Sequence, residues 1–262
     1  MEVKLIGRSN ACWEDDGLWN VANGEELCAS AARGCYSVYD SKTLLKSMTQ
    51  ERMEKTLVHA IEAGHTSVLE HIQFTFSVKG VSRVLTHQLV RHRHLSFSQQ
   101  SMRYVDVHKL SDNIVIPTTV KNIMENEESL ADTISEQPMM VKFNNYLKAM
   151  HELMAEMDKH GIPSEDQRYF VPNGVMANIT VTGNARAWIE FCKLRCCTRA
   201  QKEIREMADK IKDILKEECP FIFQNLGPSC EIGYCPEKES CGRKPTLIQV
   251  LNGYSENARI EK

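Results

Sequence analysis

The stretch HIQFTFSVKG at 71–80 sets Ile72, Phe74, Phe76 and Val78 against Gln73, Thr75, Ser77 and Lys79. Successive side chains of an extended chain point to opposite faces, so this alternation predicts a strand with one buried face. Such a strand needs a sheet to join and an apolar layer behind it. Further strand candidates are VKLIG (3–7) and ANITVTG (177–183). The layer is supplied by long helical patterns, over 24–35, 43–63, 139–160 and 199–218. In the last of these, Ile204, Met207, Ala208, Ile211, Ile214 and Leu215 fall on one face. Thr43 is the expected cap of the second and Gly64 its stop. Gly80 is expected to end the alternating strand and Ser82 to cap a helix running through VLTHQLVRHR. Asn184 opens another helix, to about Cys197. The methionine stripe of 139–160 (Met140, Met150, Met154, Met157, with Phe143, Leu147 and Leu153) reads as core. The expected fold class is therefore α/β, of the α+β-like kind: a single domain with a central, largely antiparallel sheet flanked by long helices.

Length and composition fit that reading. The chain has 262 residues, 42% of them hydrophobic, enough for a sizeable core. No apolar run approaches the ~20 residues that cross a bilayer, and MEVKLIGRSNACWEDDG at the start has no sustained apolar stretch, so neither a membrane span nor a cleaved signal peptide is expected. Ten cysteines in a chain of this size suggest reduced thiols in the cytoplasm rather than a disulfide scaffold. Residues 121–136 hold one lysine against five acidic residues and read as a solvated helical face or an insertion.

The net charge of −3 hides a concentrated basic segment. Residues 79–109 carry Lys79, Arg83, Arg91, Arg93, Arg103 and Lys109 against Asp106 alone, with His87, His92, His94 and His108 among them. Such a cluster in an acidic chain raises the local concentration of anions. Arginine dominates its centre, and the planar guanidinium suits bidentate phosphate binding and stacking on flat rings. Ser96, Ser98, Gln99, Gln100 and Ser101 add neutral donors and acceptors for the edge of a heterocycle. A nucleotide site fits this mixture; so does a basic face at an oligomer interface. No glycine pair of the dinucleotide fingerprint, no phosphate-loop lysine motif, no GxSxG and no HExxH occurs. A bound nucleotide would be held by side chains.

Residues 91–101, RHRHLSFSQQS, resemble the RHR-x7-S signature of the flavin-dependent thymidylate synthases. The likeness continues through Met102-Arg103-Tyr104, upstream in GHTSVLEHIQFTFSVKGVSRVLTHQLV (64–90), and downstream in Asn184-Ala185-Arg186 and FCKLRCCTRAQKEIR (191–205). It covers roughly residues 28–225. The resemblance implies reductive methylation of dUMP to dTMP, with methylene-tetrahydrofolate as carbon donor and FAD reduced by NADPH as hydride source. It also implies a homotetramer with shared active sites, and no role for nucleic acid or membrane. Residues 1–225 would form the catalytic domain and 226–262 a cysteine-containing tail packed on it.

Roles then follow from the matched positions. The resemblance assigns dUMP binding to Gln88, Arg91, Gln99, Gln100, Ser101, Arg103, Arg168 and Arg195. It assigns FAD binding to Ser67, Arg91, His92, Arg93, Gln99, Asn184, Arg186 and Glu190. Arg195 matches the catalytic arginine that assists ionisation at N3 of the uracil, so no protein nucleophile is needed. His65 and Glu70 belong to the same GH-x4-E block and are expected near the flavin or folate pocket. The chain departs from the common pattern at Ser98-Gln99, where Gln99 lacks a carboxylate, and at Met102, Glu190 and Arg199. The opposed charges of the last two suggest a re-paired Glu190–Arg199 contact.

On the residues alone, Ser101 reads sooner as a helix cap or turn serine, and Asn184 can cap its helix whatever else it does. Two rivals follow from other features. One is a nucleic-acid-binding module built on the basic segment, which predicts steep salt dependence. The other is a cysteine-ligated metalloprotein using Cys230, Cys235 and Cys241 with Cys219 upstream, although their spacing is loose and no CxxC occurs. No metal is expected.

Overall fold

A computed structural model describes residues 1–105, 113–129, 138–231 and 233–252, with only the backbone of 127–129. Asp106, His108 and Lys109 of the basic segment and residues 130–136 of the acidic one lie outside the described residues.

Among the described residues six strands occur: β1 (Glu2–Arg8), β2 (Ala11–Asp15), β3 (Leu18–Ala22), β4 (Gln73–Ser82), β5 (Leu95–Gln99) and β6 (Met176–Asn184). Four of them form one sheet of order β1-β4-β6-β5, in a mixed helical and antiparallel architecture. The alternation of 72–78 is obeyed: Ile72, Phe74, Phe76 and Val78 are buried, while Gln73 and Lys79 are exposed. Gly80 does not end the strand. It adopts φ +71°, the left-handed region open to glycine, and its N–H donates to Asn178 Oδ1 at 3.2 Å, so β4 continues to Ser82.

The β2–β3 hairpin was not expected from the sequence. It pairs Ala11 with Ala22 through Asp15 with Leu18, turning at Asp16-Gly17, where φ is +49° and +77°. Aspartate followed by glycine is a strong two-residue hairpin signal, and here the alternation around it is too weak to draw notice.

The helices among the described residues include α1 (Gly24–Gly34), α2 (Ser41–Lys46), α3 (Gln50–Glu62), α4 (Arg83–Leu89), α5 (Thr118–Ser129), α6 (Met139–Lys159), α7 (Ser164–Gln167), α8 (Ala185–Arg195) and α9 (Lys202–Glu218). Two expectations are corrected. The helix read over 43–63 is two helices, because Asp40 caps α2 through Thr43 N–H and Thr49 starts α3 afresh through Arg52 N–H. The helix read through VLTHQLVRHR ends at Leu89, so Arg91, His92 and Arg93 lie in the connection to β5. Ser82 and Asn184 cap α4 and α8 as expected.

The chain divides into two compact units. The first contains Met1–Glu2, Val78–Arg91 and Phe97–Thr180. Its core includes Leu85, Leu89, Val175 and Ile179, and Met150 and Met154 pack with Leu147 and Val171. The methionine stripe of α6 is thus buried only in part: Leu153 is exposed. The second unit contains Val3–Ser77, His92–Ser96 and Val181–Lys262. Its core is aromatic, with Phe74, Phe76, Trp188, Phe191 and Phe223 fully buried beside Leu57 and Leu69. On α9, Ile204, Met207, Ala208, Ile211 and Leu215 are buried.

Candidate active site

In the first unit, α4 and the end of β5 are tied together. Gln99 Nε2 donates to the Thr86 hydroxyl at 3.1 Å, while Gln88 Nε2 reaches its own helix at Val84 carbonyl, 3.4 Å away. Gln100 is used by the sheet: its backbone N–H donates to Asn178 carbonyl at 2.9 Å and its Oε1 accepts from Asn178 N–H at 3.1 Å. The Ser101 hydroxyl accepts Arg103 N–H at 3.2 Å, the serine turn. The Gln100 and Ser101 side chains after β5 are therefore held by backbone amides, and Arg91 is exposed just beyond α4.

The same unit gathers arginines. Arg103 forms an ion pair with Glu165 at 2.7 Å, and Arg168 Nε donates to the Glu165 carbonyl at 2.9 Å. Arg83 is half-buried and close enough to Arg168 for the like charge to depress its pKa, after the larger effect of burial. Among the described residues, Arg103 alone of these three has a carboxylate within ion-pair distance. Arg83 is the member that the sequence reading counted but did not choose. Its signal was position: it opens the helix that carries Gln88, two turns before Arg91.

In the second unit, Arg195 closes α8 and is half-buried, which lowers its pKa without threatening its charge. Its Nε donates to His92 Nε2 at 2.9 Å. Burial first, and then the Arg195 charge, pull the His92 pKa down to about 4. His92 is therefore neutral near pH 7 and accepts this bond. Arg93 is exposed. Asn184 Oδ1 accepts Ala187 N–H at 2.8 Å, and Arg186 pairs with Glu70 at 2.6 Å.

Ser67 lines a cavity of about 530 Å³ with Arg33, Tyr36, Tyr39, His59 and His65. Hydroxyls, imidazoles, a guanidinium and two phenol rings around a space of that size suit a flat, polar-edged ligand. Flavin rings have that character, so the residues present fit the group.

One sequence expectation fails here. Glu190 does not pair with Arg199. It takes Lys193, one helical turn on, at 2.7 Å. Arg199 turns to the tail, where Glu237 lies at 3.6 Å and the Glu239 carbonyl accepts from Nη2 at 2.6 Å. A neighbour at i+3 on the same helix needs no further ordering, and this decides the competition.

The cysteines are all free. Cys197, Cys230, Cys235 and Cys241 line one small cavity of about 60 Å³ beside Arg243. Among the described residues no three His, Cys, Asp or Glu side chains are grouped closely enough to hold a metal ion. No helix among the described residues is long and apolar enough to cross a membrane.

Comparison with known proteins places these features in a lineage. The family model described as thymidylate synthase complementing protein matches residues 18–221. The flavin-dependent thymidylate synthase of Clostridium tetani is 39% identical over 239 residues, 87% of this chain and 92% of its own. That of Geobacter sulfurreducens is 37% identical over 91% of this chain and 97% of its own. A relative with the same description, from Pyrococcus abyssi, is 40% identical over 74% of this chain and 77% of its own.

Proposed function

This chain belongs to the flavin-dependent thymidylate synthase family, and from that membership we propose that it converts dUMP to dTMP by reductive methylation. Methylene-tetrahydrofolate gives the carbon and leaves as tetrahydrofolate. Bound FAD, reduced by NADPH, supplies the hydride.

The observation that supports this reading best is the arginine group of the first unit. Arg83, Arg103 and Arg168 are held near one another with one carboxylate, that of Glu165, in ion-pair contact with them among the described residues. A doubly charged phosphate monoester is the anion that such a group suits. In this reading Arg103 and Arg168 bind the dUMP phosphate, with Gln88, Arg91, Gln99, Gln100 and Ser101 along the nucleotide. Ser67, Arg93, Asn184, Arg186 and Glu190 hold FAD, with Arg91 and Gln99 shared at its ring. Arg195 stands at the uracil. A fixed guanidinium beside N3 stabilises negative charge developing on the ring, which makes C5 the nucleophile. No serine or cysteine of the chain attacks. The enzyme works in the cytoplasm as a homotetramer with shared sites.

The test is direct. Purified protein with dUMP, methylene-tetrahydrofolate, FAD and NADPH should form dTMP, seen by chromatography, and omission of FAD or NADPH should abolish it. No dTMP from flavin-loaded protein would overturn the reading. Arg195→Ala should keep its flavin absorbance and lose methyl transfer by about 10²–10³.

A further inference from the structure

A chain of rings in the second unit ends on a hydrogen bond. Phe76 meets Trp188 edge-on at 5.0 Å, Trp188 meets Phe191 at 5.5 Å, and Phe191 meets His92 at 5.0 Å. Trp188 and Phe191 are fully buried, and the indole N–H is anchored on the Phe74 carbonyl at 3.3 Å. Both rings sit on α8, whose last residue is Arg195. His92 is thus seated against the very helix that presents the arginine.

The bond itself specifies a protonation state. Arg195 Nε can only donate, so His92 Nε2 must offer a lone pair, and the imidazole carries its proton on Nδ1. The low pKa agrees with a ring that stays neutral. Holding Nε fixes the plane of a guanidinium and therefore the heading of its two terminal nitrogens.

We propose that His92 is a positioning residue for Arg195, acting on the reaction through the guanidinium rather than through contact with the flavin. Without it the guanidinium loses the bond that fixes its Nε, and preorganised charge is worth more than charge that must reorganise. The inference rests on the assignment of Arg195 to the uracil.

The experiment compares His92→Phe, which keeps a ring against Phe191 and removes the acceptor, with His92→Gln, whose amide oxygen replaces Nε2. In the flavin-loaded enzyme His92→Phe should lower kcat roughly ten- to hundred-fold, the size expected for one hydrogen bond to a charged group. FAD affinity and the KM for dUMP should change by no more than about two-fold. His92→Gln should recover most of the loss. Added to Arg195→Ala, His92→Phe should cost nothing more, because the two act as one device. Multiplying effects, a loss confined to FAD affinity, or a Gln variant as poor as Phe would each overturn the proposal.

Histidine nitrogen NMR supplies a readout independent of turnover. Wild-type His92 should carry its proton on Nδ1 at neutral pH, and Arg195→Ala should perturb the Nε2 resonance. A proton on Nε2 would sink the inference even in an active enzyme. A wild-type protein that makes no dTMP would instead sink the proposed function, whatever the NMR shows.

Discussion

Glu25, at the start of α1, accepts the backbone N–H of Ile222 at 2.9 Å, and the same oxygen takes Phe221 N–H at 2.9 Å. The residues are almost two hundred positions apart, and Glu25 is a buried carboxylate. It satisfies two amides at the start of the short helix Pro220–Phe223 that would otherwise be orphaned. Burial raises its pKa, outweighing the two amide bonds, which lower it.

Glu25→Ala should therefore destabilise the protein by about 2–3 kcal/mol, through two buried donors left unpaired. The pH dependence has a definite sign. A carboxyl that holds its proton more tightly when folded contributes stability fully below the unfolded pKa, and loses it as pH rises through the raised folded pKa. Thermal denaturation between pH 4 and 7 should show that slope in the wild type, and Glu25→Gln should flatten it.

Arg83→Ala and Arg168→Ala should each raise the KM for dUMP, about ten-fold or more, with flavin content unchanged. Higher salt should weaken dUMP binding in the wild type and do so less in either variant. Arg83→Ala is the sharper test, since the family resemblance gave it no role. Equal KM values in variant and wild type would remove Arg83 from the phosphate group.

Arg199→Ala should loosen the tail without touching the flavin. Its guanidinium reaches Glu237 and the Glu239 carbonyl, and no flavin contact is needed to explain its place. The ion pair is exposed, so global stability should fall by less than ~1 kcal/mol. Limited proteolysis should nevertheless cut within 233–252 faster than in wild type.

The thiols should react in a fixed order. Cys241 is exposed and its pKa is lowered, chiefly by the Thr198 side chain, whereas burial pushes Cys28 and Cys219 up to about 12. The thiolate is the nucleophile. Alkylation at pH 8 followed by mass spectrometry should mark Cys241 first, and Cys28 and Cys219 only on unfolding.

The local rules carried far in this chain. Alternation at 72–78 located β4, because the period of side-chain direction depends only on the extended backbone. Ser82 and Asn184 declared themselves as caps, since a cap satisfies amides three residues away. The RHR-x7-S segment announced a family because order along the chain survives without any structure. Other features needed competition to be resolved in space. Asp40 and Thr49 divided one apparent helix into two, and Gly80 passed through the strand that it was expected to end.

What the sequence by itself determined is the inventory: a half-buried strand, its flanking helices, an arginine-rich segment and the signature within it. Tertiary structure decided the pairings. Glu190 could have taken Arg199 or Lys193, and the helix put Lys193 one turn away. Arg195 and His92 are 103 residues apart, and the fold that sets Phe191 edge-on to the imidazole also brings Nε and Nε2 to 2.9 Å. A residue's chemistry is written in its side chain. Its partner is set by which side chains the folded backbone brings within about 3 Å, a distance that no local pattern encodes.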